Sequence, residues 1–175
     1  MDVINVHFTF EKLMIDGDLT EAEFLIKMNN KITKLASIEE ADIWKKSYKN
    51  HKDSIWGNAF LKMFNKRNTS FKNSPIFVTN NQNTKYTMKV NAIWMYYGYD
   101  AGIVDRPAKV TLHITFYETN EPLKIITEST ISRAEGKYNK TDGDGEGKGP
   151  SLNRMREAYM KAGFKLSQAL KRVMD

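Results

Sequence analysis

The chain opens with alternating apolar and polar residues, the pattern of a strand that buries one face. Polar Asn5, His7 and Thr9 separate the apolar positions, which are Ile4, Val6, Phe8 and Phe10. Asp16-Gly17-Asp18 then predicts a turn. The first element is therefore expected to be a strand followed by a tight change of direction.

Apolar residues next recur every three or four positions, which indicates helices. Thr20 with Glu23 has the spacing of a capping box and predicts a helix that runs to about Leu35. Ser37 with Glu40 predicts the start of a second helix. Residues 50–53 are expected to interrupt that helix, and another apolar face continues over residues 55–64.

From residue 75 the apolar period returns to two. Strands are predicted at residues 76–79, 85–97, 110–116 and 123–132. Asn120-Glu121-Pro122 joins the last two as an antiparallel hairpin. In the strand 85–97, alternation predicts one shared face for six residues: Tyr86, Met88, Val90, Ala92, Trp94 and Tyr96.

The chain closes with an amphipathic helix predicted over residues 151–173, with Ser151 as its N-cap. Its apolar stripe is expected to lie across the sheet, and Ala162-Gly163 would allow close approach to the strands. The pattern predicts a single α+β domain spanning residues 1–175, with a glycine-rich loop at 141–150. Its antiparallel β-sheet of about four to five strands packs against an N-terminal helical segment and a long C-terminal helix.

Composition fits a soluble globular protein, with 41% hydrophobic and 27% charged residues. The net charge of +6 is unevenly distributed. Residues 1–26 hold six acidic residues and one lysine, whereas residues 27–72 hold eleven Lys or Arg and four acidic residues. This asymmetry suits head-to-tail assembly or a nucleic-acid surface.

The glycine-rich loop alternates glycine with charged residues and ends at Pro150. Ordering glycine costs more backbone entropy than ordering any other residue, so we expect this loop to be held by another molecule. The candidate interface residues are Asp142, Gly143, Asp144, Gly145, Glu146, Gly147, Lys148 and Gly149. The spacing matches neither a P-loop nor a dinucleotide fingerprint. A calcium contact through Asp142 and Asp144 stays open as an alternative, although Asn153 stands where an EF-hand needs Glu.

A second candidate interface is the aromatic run around Trp94, Tyr96, Tyr97 and Tyr99. Both faces of this strand carry apolar groups, which predicts cover on both sides, by helices or by a neighbouring subunit.

No residue pattern indicates catalysis. The chain has no cysteine, and its histidines His7, His51 and His113 are far apart in sequence. No metalloprotease motif or nucleophile elbow occurs. We therefore expect a non-enzymatic protein without a catalytic site, a metal or a cofactor.

Two resemblances extend these expectations. Four segments resemble small uncharacterised α+β proteins of Bacteroidota: Thr20-Glu-Ala-Glu-Phe24, Phe60-Leu-x-x-Phe64-Asn65, Lys85-Tyr86-Thr87 and Arg156-Glu-Ala-Tyr-x-x-Ala-Gly163. The layout of a small sheet flanked by helices with a long glycine-rich loop is similar to phage tail-completion and ring proteins. That resemblance implies many copies around an axis, with loops that reach to neighbours.

We therefore expect a structural subunit of a larger assembly, most specifically a phage tail or portal-proximal ring component. Its partners would be further copies in a ring and other virion proteins, with no membrane contact. The alternatives are a free-standing bacterial accessory protein of the cytoplasm and a nucleic-acid-binding protein that uses the basic helical segment. Residues 1–5 lack the features of a signal peptide, so we expect export only if a leader precedes Met1.

Overall fold

The computed structural model describes residues 2–100, 105–137 and 149–174. The helices are α1 (Glu21–Leu35), α2 (Ile38–Asn50), α3 (Trp56–Asn68) and α4 (Leu152–Met174). The strands are β1 (Val3–Thr9), β2 (Met14–Ile15), β3 (Leu19–Thr20), β4 (Ile76–Thr79), β5 (Tyr86–Tyr96), β6 (Tyr99–Asp100), β7 (Asp105–Arg106), β8 (Lys109–Glu118) and β9 (Glu121–Glu135). The predicted α+β class is confirmed.

Seven strands form one sheet with β5 at its centre, and β6 and β7 form a separate two-stranded ribbon. One edge of β5 pairs with β1 and then β2, both parallel to it, and β4 lies parallel to β1. The other edge pairs antiparallel with β8, which pairs antiparallel with β9. The predicted hairpin is thus confirmed.

The prediction of a purely antiparallel sheet of four to five strands is wrong, because the sheet is mixed and has seven strands. Helices α1, α2 and α3 connect β1 to β4, and a long crossover of this kind returns the chain in the parallel direction. Strands β2 and β3 have two residues each, too few to show an apolar period.

The helical segment begins as predicted, with a complete capping box between Thr20 and Glu23. The Ser37 side chain likewise accepts a hydrogen bond from the Glu40 amide at 3.2 Å. The prediction that residues 50–53 interrupt the helix is wrong. His51–Ile55 is a π-helical turn, so the chain stays helical from α2 into α3. Loops and π-turns both break the 3.6-residue period, and sequence alone does not separate them.

Helix α4 crosses both the sheet and helix α3. A methyl group built on Gly163 would come within 2.4 Å of the Phe60 carbonyl oxygen, which belongs to α3. The close approach allowed by Gly163 is therefore to a helix, and the expectation of strands at this point is corrected. Ser151 caps α4 as predicted, since its hydroxyl accepts from the Arg154 amide at 3.1 Å.

The helices lie on one side of the sheet: α1 contacts β2 and β3, α3 contacts β4, α4 contacts β8 and β9, and α2 packs on α1. The covered face carries Val6, Val90, Leu112 and Ile114, which are fully buried. Paired residues of neighbouring strands point to the same face, so the register gives the opposite face a mostly polar set: His7, Thr9, Lys89, Asn91, Thr111, His113 and Thr115. Among the described residues, no helix packs on this polar face, which we call the open face.

Candidate functional site

The strongest candidate site lies on the open face, where a β-bulge in β5 reverses the side-chain alternation. Ala92 pairs with Leu112, yet Trp94 already pairs with Thr111, so Ile93 is the extra residue. Trp94 and Tyr96 therefore point to the open face, away from buried Val90 and Ala92. The prediction that all of these residues share one face is wrong beyond Ala92, because a bulge adds one residue to the two-residue period.

A second irregularity, in β9, brings a cation to the same place. The register between β8 and β9 shifts between Val110 and Leu112, and Arg133 has a φ of 43°. A positive φ is unfavourable for a residue with a side chain and commonly marks a bulge. The Arg133 amide donates to the Thr111 hydroxyl at 3.1 Å, which fixes the backbone in this conformation.

The two irregularities build a compact surface of three side chains. The Trp94 and Tyr96 rings are stacked, with centroids 6.2 Å apart and planes within 10°. The Arg133 guanidinium carbon lies 5.4 Å from the Trp94 ring centre, a cation–π contact. We call Trp94, Tyr96 and Arg133 the aromatic–cation surface. Trp94 and Tyr96 are each partly exposed, and Arg133 is exposed.

Ion pairs and a hydrogen-bonded histidine lie beside this surface on the open face. Lys109 lies 2.9 Å from Glu135 beside Tyr96, and His113 Nε2 lies 2.9 Å from Glu128. Further along the open face, Lys89 pairs with Glu11 at 2.8 Å. Because Lys89 and Lys109 have carboxylate partners, the open face is suited to a surface of mixed polarity more than to a polyanion.

The other residues of the predicted aromatic interface lie elsewhere. Tyr97 is 1% exposed and stacks on Phe24 with ring centroids 5.2 Å apart, so it belongs to the core and not to a surface. Its amide donates to Asp16 at 3.1 Å. Tyr99 is 47% exposed and pairs with Arg106 in the β6–β7 ribbon. Of the four aromatic candidates, only Trp94 and Tyr96 adjoin each other on the open face.

Most of the predicted glycine-rich interface falls outside the described residues, namely Asp142, Gly143, Asp144, Gly145, Glu146, Gly147 and Lys148. Its last residue, Gly149, is described and lies against Trp44. A methyl group on Gly149 would come within 2.5 Å of the Trp44 ring nitrogen. That nitrogen donates to the Pro150 carbonyl oxygen at 3.2 Å. The end of the segment is thus held by helix α2 of the same chain.

A cleft of about 450 Å³ between α1, α2 and the π-helical turn is the next candidate, since π-turns often occur at functional sites. Lys52 donates to both carboxylate oxygens of Glu21 at 2.6 Å, and the Tyr48 hydroxyl donates to the same carboxylate at 2.7 Å. The Lys52 ammonium also lies 4.8 Å from the Phe10 ring centre. Glu21, Tyr48 and Lys52 thus have internal partners, and this cluster ties α1 to the π-turn.

The histidines do not converge in the structure. His7 lines an open polar cavity of about 380 Å³ together with Asn5, Thr87 and Tyr117. His51 lies in the π-helical turn, with Nδ1 2.8 Å from the Ser47 carbonyl oxygen. Within the described ranges, no group of three His, Cys, Asp or Glu side chains is placed to hold a metal ion.

The edge strand β9 is exposed over residues 121–130, and Leu123 is 97% exposed. A long exposed edge invites pairing with another chain. Here Pro122 lacks an amide donor, and two register shifts distort the ladder between Phe116 and Glu118. These features are typical of a protected edge, so the aromatic–cation surface is the better candidate.

Sequence reasoning missed Arg133, although one signal was present. Ile131 and Ala134 are buried and three residues apart, which is one more than strand alternation allows. Such a break indicates a bulge between them.

None of the helices described is both long and apolar enough to span a membrane. No known protein-family model matches the chain, and a search of curated proteins finds no significant relative.

Proposed function

We propose that this protein is a non-enzymatic structural subunit that joins a larger assembly through the aromatic–cation surface. The observation that carries the proposal is the placement of Trp94, Tyr96 and Arg133 on a sheet face that no described helix covers. Trp, Tyr and Arg are the residue types most enriched among those that dominate binding energy at protein interfaces. Bulges that re-aim side chains are typical of functional surfaces.

A head-to-tail contact suits this surface better than a self-symmetric one. The helical side of the molecule exposes apolar residues on α1 and α2, including Ile26 at 63% and Ile43 at 57%. An aromatic surface on one side and apolar residues on the other allow a heterologous contact, which closes into a ring if the rotation permits. The layout resemblance to phage tail-completion and ring proteins makes a tail or portal-proximal ring component of the virion the most specific form of the proposal.

The acidic N-terminal segment contributes less to such a contact than its charge suggests. Glu11 pairs with Lys89, and Glu21 pairs with Lys52. Glu23 accepts hydrogen bonds from Thr20 in the capping box. Asp16 accepts from the Tyr97 amide, so four of its six carboxylates have partners within the chain. We therefore assign the assembly contact to the aromatic–cation surface.

Size-exclusion chromatography with light scattering tests the proposal over a concentration series. We expect a discrete oligomer, and we expect Trp94→Gln with Tyr96→Gln to shift it to monomer. Tyr117→Gln is the matched control, because Tyr117 is also partly exposed on the open face but lies outside the surface. Circular dichroism melting must show that all variants stay folded.

A wild-type monomer at every concentration contradicts intrinsic assembly and favours the alternative of a free-standing accessory protein. Equal loss of the oligomer in the Tyr117 control contradicts the assignment to Trp94 and Tyr96. The virion form of the proposal also predicts that neighbouring genes encode virion proteins. Neighbours that encode metabolic enzymes contradict it.

A further inference from the structure

The outer surface of α3 and α4 carries cations that lack acidic partners. Helix α3 has no acidic residue, and the described part of α4 has one, Glu157, which lies 2.8 Å from Arg156. Lys62, Lys66 and Arg67 of α3 and Lys161 of α4 are exposed. In the described part of the chain, none of these four cations has an ion pair. This differs from the open face, where lysines are matched with glutamates.

Cations of the two helices converge on one aromatic ring. The Arg67 guanidinium carbon lies 4.7 Å from the ring centre of Phe164, and the Lys161 ammonium lies 4.9 Å from it. The contact of Gly163 with Phe60 brings the two helix axes close enough for this arrangement. The Phe164 ring therefore brings one positive charge from each helix to the same part of the surface, where an anion would be stabilised.

The cations are also spaced along a line. Lys62 and Lys66 are four residues apart on α3, so they are separated by about 6 Å along the helix axis. Two cations at this spacing on one helix fit a polymer that carries regularly spaced anions. The chain's own acidic segment is a poor candidate, because Glu11 and Glu21 are occupied by lysines of the same molecule.

We propose that the outer surface of α3 and α4, centred on Arg67 and Lys161, binds the phosphate backbone of nucleic acid without reading its sequence. Arginine and lysine contacts to phosphate supply most of such non-specific affinity. An anionic membrane fits less well, since membrane-binding helices place large apolar residues beside their cations. Among the side chains described in the helical layer, the exposed large apolar residues are Ile26, Leu35, Ile38 and Ile43, all on α1 and α2. Beside the cations of α3 and α4, Phe164 is half-buried. The proposal is independent of the aromatic–cation surface.

Fluorescence anisotropy with a labelled 20-base-pair duplex DNA tests this site. We expect binding at 50 mM salt that weakens steeply by 200 mM, with a log–log slope of about −0.9 for each phosphate contact. The triple variant Lys66→Gln, Arg67→Gln, Lys161→Gln should reduce that slope by about one for each cation removed. Arg67→Lys keeps the charge and should bind within about two-fold of the wild type.

The matched control is Lys27→Gln, Lys31→Gln, Lys34→Gln, which removes the same charge from the exposed surface of α1. If this control weakens DNA binding as much as the triple variant does, the effect is one of net charge, and the assignment of the binding site to α3 and α4 is overturned. Absence of DNA binding at 50 mM salt overturns the proposal outright. Duplex and single-stranded RNA probes distinguish the source of the phosphates.

Two competitors address other polyanions. The proposal is overturned in favour of a membrane if vesicles with 30% phosphatidylserine bind the protein more tightly than DNA does and if that binding depends equally on Arg67 and Lys161. Polyglutamate that displaces DNA with equal potency per charge overturns it in favour of an acidic protein surface. Binding that depends on Arg67 and Lys161, with DNA preferred to both competitors, supports it.

Discussion

The Arg133 guanidinium lies over the Trp94 ring, although the two residues belong to strands that do not pair with each other. Strand β8 runs between them, and Thr111 of β8 contacts both β5 and β9. It pairs with Trp94 in the ladder, and its hydroxyl accepts from the Arg133 amide. Two bulges on opposite sides of one strand therefore create one surface.

The positive φ of Arg133 can be tested by a pair of substitutions. Arg133→Ala removes the side chain but keeps the unfavourable φ, whereas glycine adopts φ > 0 without cost. We expect Arg133→Gly to be more stable than Arg133→Ala by about 1 kcal/mol in urea unfolding. Equal stabilities would show that the bulge relaxes on substitution. Both variants should weaken the proposed assembly, because both remove the cation over Trp94.

The carboxylate of Glu21 joins α1 to the π-helical turn, so its removal should lower stability. Glu21→Gln loses the ion pair with Lys52 and the charged acceptor of the Tyr48 hydroxyl. Both ion-pair side chains are about a quarter exposed, so screening by water is partial. We expect the free energy of unfolding to fall by about 1–3 kcal/mol. Asp42→Asn, at an exposed acidic position of α2 beyond the first turn, is the control and should change it by less than about 0.5 kcal/mol.

Gly163 should not tolerate a side chain. Alanine normally stabilises a helix by about 1 kcal/mol relative to glycine. Here the added methyl group would meet the backbone oxygen of Phe60, which cannot rotate away. We expect Gly163→Ala to lower the free energy of unfolding by about 1–3 kcal/mol. Gln168→Ala, at an exposed position of the same helix, should leave it unchanged or slightly raised. A stabilised Gly163→Ala protein would contradict the close crossing of α3 and α4.

Trp44 holds the end of the glycine-rich segment in place. Trp44→Phe retains an aromatic ring but removes the donor to the Pro150 carbonyl oxygen. We expect faster amide hydrogen exchange at residues 151–153 in this variant. Gly149→Ala should have the same effect, since its methyl group would push the segment off the ring. Lys45→Ala tests an exposed neighbour of Trp44 on α2 and should leave this exchange rate at the wild-type value.

Three buried tyrosines make stability sensitive to alkaline pH. Burial raises the pKa of Tyr48, Tyr97 and Tyr159 above the ordinary value of about 10, and the Glu21 carboxylate adds to the effect on Tyr48. In the unfolded chain these groups ionise near pH 10, whereas the folded protein keeps them neutral. The stabilisation is therefore complete below pH 10 and is lost as the pH rises further.

Absorbance at 295 nm and circular dichroism at 222 nm should show these three tyrosines ionising together with unfolding. Tyr97→Phe and Tyr159→Phe should each remove one tyrosine from that unfolding-linked step. Ionisation of all tyrosines in a folded protein would contradict the burial of this cluster.

Elements that depend on neighbours along the chain were predictable from sequence. The alternation of β1, the Thr20–Glu23 capping box, the β8–β9 hairpin and the Ser151 cap are local signals, and all four occur in the structure. Each of these features is decided within a few residues, where backbone sterics and hydrogen bonding act directly.

Tertiary structure alone decided which strands are neighbours and which way side chains face. The parallel pairing of β1 with β4 and β5 depends on the path of three helices. The bulge at Ile93 depends on the register with β8, and it moved Trp94 and Tyr96 to the open face while Tyr97 stayed in the core. The meeting of Arg133 with Trp94, and of Arg67 with Lys161 around Phe164, joins residues from separate elements. The spacing of apolar residues along the sequence reflects only the local geometry of the backbone. Contacts between separate elements arise only when distant segments of the chain pack together.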